Sequence, residues 1–410
     1  MPILAKRRWE PDLSFARNRA DSRSFDYEAY IPDPIASWTF DLPFNLAEEL
    51  VATSTAVTEL QGLSTFTGLE SLSRQLLRVE SIGSSRIEGL ILSQRRLARA
   101  MLDPDAETET ARAVAGNIHA MEAAIRLASD GREIQIDDLL TIHSKLLERT
   151  RDAEIAGRLR DRQNWIGGSD WSPQDAEFIP PPETEVERLL EDLCIFLQRD
   201  DIPPIIQAAI AHAQFETIHP FIDGNGRVGR ALIHIVLRHR GVTPAVVPPI
   251  SLVLATNAQR YIEGLTAYRS GNFLDWCLFF TRALFSATEQ AKHLNEHLAA
   301  LQDEWRRTLG RPRRHSAAER LIQALPAQPV LDFRSATSLV GGSEEAVRKA
   351  LNELEANGVL ACVTVGKKKN RIWEARELLT LVDHFEWQLA TPTRLGAPRR
   401  PSPQRPEDRG

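Results

Sequence analysis

From Leu46 to about Gly131, and again from Ile134 to Gly310, apolar residues return every three or four positions, the period that draws one stripe along an α-helix. The first stretch reads as several helices and the second as a larger helical core, so the fold class expected is mainly α. One insertion breaks the period. Asn164-Trp165-Ile166-Gly167-Gly168 and Ala176-Glu177-Phe178-Ile179-Pro180-Pro181-Pro182 read as two short extended segments joined by a turn-rich loop, a small β-hairpin among helices. The triple proline with Glu183, Glu185 and Glu187 then starts a new helix, where carboxylates suit the positive end of the dipole. Residues before about Phe44 are polar and aromatic without periodicity and are expected to lie over the surface of the helical region that begins at Leu46.

At Gly310-Arg311-Pro312-Arg313-Arg314 the composition shifts to that of a linker. Beyond it, helices are predicted over 317–325, 335–340 and 343–357, the last with Val347, Leu351 and Leu354 on one face. Strands over 359–364 and 371–374 come next, around a turn at Gly366-Lys367-Lys368-Lys369-Asn370. Three helices and a hairpin resemble a winged helix-turn-helix domain. Its basic wing tip suits phosphates, but Glu344, Glu345, Glu353 and Glu355 outnumber Arg348 and Lys349 on the would-be recognition helix, so protein docking or a homodimer is favoured over DNA. After Leu389 the chain turns to Pro, Arg and Ser, the composition of a disordered tail. The predicted division is therefore 1–131 as an N-terminal helical region, 132–310 as the core, 311–389 as the winged helix and 390–410 as the tail.

Bulk properties narrow the class without naming it. A formal net charge of -6 over 410 residues argues against bulk nucleic-acid binding. Cys194, Cys277 and Cys362 are odd in number and far apart, which suggests neither a disulfide framework nor a zinc site. No signal-peptide core and no apolar run of membrane-spanning length is visible, so a cytoplasmic location with no membrane partner is expected.

The chemistry concentrates in twelve residues, His219-Pro220-Phe221-Ile222-Asp223-Gly224-Asn225-Gly226-Arg227-Val228-Gly229-Arg230. Gly224 and Gly226 allow a tight turn whose N–H groups can converge on one anion. Val228, Leu232, Ile235 and Leu237 have helical spacing, so that turn opens a helix, and a helix N-terminus attracts anions. Arg227 and Arg230, three apart, share a face and can each fork onto phosphate oxygens. Asp223 offers one hard oxygen ligand for a phosphate-bound Mg²⁺. His219 titrates near neutrality and is the natural base for a hydroxyl nucleophile. Phe221 reads as an apolar anchor for the loop.

That string resembles the signature of the Fic family, whose members mostly transfer AMP from ATP to a protein hydroxyl. The resemblance implies that His219 deprotonates the target hydroxyl and that Asp223 holds Mg²⁺. It also implies that Asn225 with the Gly224 and Gly226 amides cradles the α-phosphate, while Arg227 and Arg230 take the β- and γ-phosphates. Kinase-type relatives carry lysine where this chain has Gly226, a departure that favours nucleotidyl transfer. Ser84-Ser85-Arg86-Ile87-Glu88-Gly89 is similar to the inhibitory-helix motif of the same family, on a helix placed at about 78–89, in which Ser84 and Glu88 share a face and Glu88 occupies the γ-phosphate place on Arg230. By the same resemblance, Asn164, Trp165 and Ile166 belong to a flap whose edge receives a target segment as an added strand, and Asn257 and Tyr261 neighbour the adenine or ribose. The implied activity is an auto-inhibited protein adenylyltransferase using Mg-ATP on Ser, Thr or Tyr of a target protein and on itself. De-AMPylation by the same site and a nucleotide-sensing winged-helix regulator are the alternatives.

Overall fold

The computed structural model of the protein describes residues 2–11, 23–63, 69–102, 108–168, 172–365 and 370–390. The chain is mainly helical, as its periodicity predicts, and carries small antiparallel sheets. The wing tip at 366–369 and the tail from 391 lie outside the described residues.

The aperiodic N-terminal stretch pairs β1 (Ile3–Trp9) with β2 (Phe25–Ile31) in antiparallel register, Arg7 opposite Tyr27. The helices α1 (Phe44–Leu63), α2 (Leu69–Ile87), α3 (Gln94–Leu102), α4 (Glu109–Ser129) and α5 (Ile136–Leu147) come after it. Thr108 starts α4 by accepting from the Ala111 amide, one of the donors a helix start leaves unmet. Next are α6 (Val186–Leu197), α7 (Pro204–Ile218), α8 (Asn225–His239), α9 (Ile250–Thr256), α10 (Ala258–Arg269) and α11 (Phe273–Thr308). Helix α7 is apolar on every side and is wrapped by neighbours, each residue from Ile205 to Ile218 being buried. Side chains such as Ile206, Ile210 and Phe215 each contribute about 1.5–3 kcal/mol by leaving water. The loop 219–224 is therefore suspended between two deeply packed helices, α7 and α8.

The 36 residues of α11 reach about 54 Å at 1.5 Å per residue. Its first half, with Trp276 and Phe280, joins the main core, and its second half, with Leu294 and Trp305, joins a second core further along. That second core holds α12 (Ala317–Ala324), β3 (Val330–Asp332), α13 (Phe333–Val340), α14 (Glu344–Ala356), β4 (Ala361–Val365), β5 (Asn370–Glu374) and α15 (Arg376–Ala390). The strands order as β3-β5-β4, an arrangement compatible with a winged helix; β3 and α15 are additions to what periodicity predicted.

These C-terminal elements pack directly on the helices that precede the core. Leu72, Leu76 and Val79 of α2 share a cluster with Leu325, Leu331 and Phe385. Buried Glu374 accepts from Arg99 at 2.5 Å, and Glu386 accepts from Arg86 at 2.7 Å and from Gln94 at 2.6 Å.

Candidate active site

His219 caps α7 in the left-handed region, with φ 51° and ψ 60°, and its amide still donates to Phe215 O at 2.9 Å. A non-glycine residue held there is strained and persists only where its surroundings fix it. Here nearly every carbonyl of the loop is held. Arg160 donates from Nε to His219 O at 2.9 Å and from its amide to Pro220 O at 2.9 Å. Asn164 Nδ2 reaches His219 O at 3.3 Å and Phe221 O at 2.9 Å. His143 stacks on Phe221, with ring centres 3.8 Å apart, and places Nε2 3.0 Å from Asp223 O. Because Gly157 N–H donates to His143 Nδ1 at 3.0 Å, the His143 proton sits on Nε2 and the ring donates to Asp223. Phe221 itself is fully buried, the anchor its type suggested.

Gly224, at φ 81°, turns the chain into α8 in a conformation that favours glycine. Asn225 closes the turn on itself. Its Nδ2 donates to Phe221 O and its Oδ1 accepts from Phe221 N, both at 2.8 Å, so the side chain braces the loop and its backbone N–H is what remains for an anion. Asp223 is half exposed and accepts from Arg227 Nη2 at 2.9 Å.

Helices α2 and α8 face each other through polar layers spaced four residues apart on both. Deepest, Glu80 Oε1 meets His234 Nε2 at 2.7 Å, both fully buried, while Glu80 Oε2 accepts from Ser251 N at 2.8 Å. One turn on, Arg230 Nε donates to Ser84 Oγ at 2.9 Å. Its Nη2 forks onto Ser84 O at 2.8 Å and Glu88 Oε1 at 2.7 Å. Arg230 is 1% exposed in its side chain and Glu88 34%, so the pair spans from core to cleft. Burial opposes the charge on Arg230, but adjacent Glu88 outweighs it and holds the guanidinium above its ordinary value. Gly226 is what lets Glu88 in: a Cβ there would overlap Glu88 Oε1.

Burial, followed by the nearby charges of Arg269 and Arg160, pushes His219 down to about 3, so its imidazole is neutral at physiological pH. Its Nδ1 is buried without a hydrogen-bond partner and faces Glu216 Oε2 at 4.0 Å. Burial pushes the Glu216 carboxyl up to about 7, against the pull of Arg230. Arg269 lies 3.8 Å over the ring of Phe178 and is itself lowered to about 10 by burial.

The extended segments meet at a bridge between Ile166 and Phe178, with Ile166 N donating to Phe178 O at 2.9 Å. The N-terminal hairpin backs them. Tyr30 N donates to Ile179 O at 2.9 Å, and Trp165 packs edge-on against Trp9 at 5.4 Å. Asn257 links α9 to α10, its Nδ2 on Val253 O at 3.2 Å. Tyr261 is buried, its hydroxyl 2.8 Å from His212 Nε2.

The loop, the α8 start, Ser84 and Glu88 thus come together, and Tyr261, within a buried aromatic layer, lies against Arg230. Glu216, Arg269, Arg160 and His143 were not singled out from sequence. Only Glu216 carried a signal, lying three residues before His219 on a helix.

Similarity to known proteins runs through both helical regions. The sequence pattern of the Fic/DOC family matches residues 133–237, and that of the Fic/DOC family N-terminal region matches residues 47–126. The chain is 34% identical over 150 residues to protein adenylyltransferase fic-1 of Caenorhabditis elegans, covering 34% of this chain and 27% of that protein. It is 32% identical over 119 residues to protein adenylyltransferase Fic of Drosophila grimshawi, covering 28% and 23%. It therefore spans about a quarter of the length of these curated relatives. In fold it resembles a Fic family protein from Desulfovibrio desulfuricans G20, with a TM-score of 0.52, 21% identity, and 82% and 98% of the two chains covered.

Proposed function

This chain is a Fic family protein, and from that premise we propose that it is an auto-inhibited protein adenylyltransferase, moving AMP from ATP to a Ser, Thr or Tyr hydroxyl of a target protein and of itself. The observation that carries the proposal is the Arg230 guanidinium, bonded by Ser84 and Glu88 beside a helix N-terminus. In the reaction, neutral His219 takes the hydroxyl proton and the freed oxygen bonds to the α-phosphorus. The bond from that phosphorus to the bridging oxygen breaks, and pyrophosphate leaves. Catalysis is then positioning and charge neutralisation.

The backbone N–H groups at Gly224 to Gly226 point the positive end of α8 at the α-phosphate. Arg227 takes the β-phosphate. Arg230 takes the γ-phosphate once Glu88 releases it. Among the described residues no cluster of three or more His, Cys, Asp or Glu could hold a metal unaided. A half-exposed lone carboxylate still fits Mg²⁺, which takes one or two protein carboxylates and completes its shell with phosphate oxygens and water. Asp223 would hold Mg²⁺ together with the nucleotide, and the ion would supply neutralisation of phosphate charge.

Glu216 positions the base. When ionised it accepts from Nδ1–H of His219, which leaves Nε2 with the lone pair that a base needs. The 4.0 Å separation closes with a small rotation, as such contacts do on substrate binding. Incubation with α-labelled ATP tests the proposal: label is expected in protein with Glu88→Gly and none with Glu88→Gly/His219→Ala.

One observation favours a second reading, removal of AMP from a modified protein. Glu88 Oε2 makes no hydrogen bond among the described residues and its side chain is one-third exposed, so it can align a water beside the same loop. Release of AMP from a pre-labelled target by the unsubstituted protein, lost with Glu88→Gly, would favour that direction.

A further inference from the structure

Away from the loop, a cavity of about 180 Å³ lies where α2, α3 and α4 meet Ala327 and Gln328. Its wall is mixed. Met101, Leu102 and Ile118 give it apolar lining, while Arg74 and Arg78, a turn apart on α2, bring two positive charges. Arg78 is 8% exposed, and its Nη1 is buried with no hydrogen-bond partner. Among the described residues Glu122 is the one carboxylate lining the cavity; it has Arg126 at 3.9 Å, and its charge also favours Arg78. Among the described residues that line the cavity, two guanidiniums thus stand against one carboxylate.

A buried guanidinium nitrogen without a partner is costly, because its lost hydration is not replaced. Burial and the like charge of Arg74 push Arg78 down to about 10, the signature of that deficit, yet the group keeps its proton at neutral pH. What the cavity lacks is negative charge carried by hydrogen-bond acceptors.

We propose that this cavity is a binding site for a tetrahedral oxyanion, either free phosphate or the phosphoryl group of a small phosphomonoester, received by Arg78 with Arg74 adding attraction. At about 30 Å³ per water-sized volume, the space holds roughly six such volumes, enough for a five-atom oxyanion and a water. The guanidinium fork matches two of its oxygens. The site stands on α2, whose C-terminal end leads into Glu88 about 15 Å further along by helical rise, and it is independent of the transfer reaction.

Titration calorimetry of the full chain with inorganic phosphate, and separately with phenyl phosphate, tests it. One saturable site is expected for at least one probe in the Arg227→Ala protein, whose loop site is weakened. Adding Arg78→Met is expected to weaken that site at least tenfold, and the probe that binds tighter identifies the source of the phosphoryl group. Arg78→Met removes an uncompensated charge and keeps the side chain's length, so it should fold with a melting temperature in phosphate-free buffer at or above that of the parent. Arg78→Lys keeps the charge without the fork and should weaken binding less. Absence of binding by both probes in the Arg227→Ala protein, or equal affinity with and without Arg78→Met, would overturn the proposal.

Discussion

Replacing Glu216 with Gln asks whether the base is set by its neighbour. Glu216 is pushed up to about 7 and His219 down to about 3, so between pH 5.5 and 9 the carboxyl titrates while the imidazole stays neutral. Below 7 a protonated Glu216 donates toward His219 Nδ1, which forces the imidazole proton onto Nε2 and removes the base. Above 7 the ionised form accepts from Nδ1–H and restores it. The rate should climb about tenfold per unit as pH rises toward 7 and level off above it. The groups around this carboxyl are Arg230 on α8, Glu88 after α2, Arg269 and Tyr261 on α10, and His219 itself.

Glu216→Gln should flatten that step and lower the plateau by roughly 10²-fold, since an amide presents donor and acceptor alike and fixes neither tautomer. The assay is initial incorporation of α-labelled AMP in the Glu88→Gly background at each pH. Stability supplies a second readout with a definite sign. A carboxyl whose folded value is raised contributes stability that is full below about 4.5 and lost as pH rises through about 7, here on the order of 3 kcal/mol for 2.5 units, 7 minus 4.5. Glu216→Gln should therefore gain stability relative to the parent as pH passes from 5 to 8. A pH step that persists unchanged in Glu216→Gln would refute the reasoning.

Glu88→Gly breaks a pair whose arginine is buried but whose carboxylate is one-third exposed, so a loss of about 2 kcal/mol is expected, below the range for fully buried pairs; urea unfolding without nucleotide measures it. Gly226→Ala should destabilise through the same contact, because its Cβ would overlap Glu88 Oε1, and a double-mutant cycle with Glu88→Gly should show the two losses to be non-additive. His219, His143 and His212 are lowered to about 3, 4 and 3, so the stability each contributes is present above about 6.5 and drains as pH falls toward those values; acid unfolding of His143→Phe should be shifted to lower pH than the parent. Glu374→Ala would release Arg99 and Arg95, each more than a third exposed, at the seam between α3 and the C-terminal sheet, so a loss of about 1 kcal/mol is expected in thermal or urea unfolding.

The range of each interaction decides how far it can be read along the chain. The α8 start was legible because glycine, arginine spacing and apolar period are all local to twelve residues. Helix α14 was legible for the same reason, as its apolar stripe at Val347, Leu351 and Leu354 shows. The N-terminal hairpin was not. Its strands mix charge with aromatics because both the sheet's outer face and the contacts to Trp165 and Ile179 decide its composition, and those partners lie more than a hundred residues away. Glu80 illustrates the same limit: nothing near it in sequence foretells that it will be fully buried between His234 and Ser251. Tyr261, expected beside the nucleotide, stands next to Arg230 and packs on His212 and Trp276, contacts that periodicity alone could not bring to it.

The most direct test of the account sets α-labelled ATP against three forms of the full chain: unsubstituted, Glu88→Gly, and Glu88→Gly/His219→Ala. Weak labelling, strong labelling and none, in that order, is the predicted result. Equal labelling of the first two would contradict the assignment of Glu88 as the group that blocks Arg230, and labelling that survives loss of His219 would contradict the site itself.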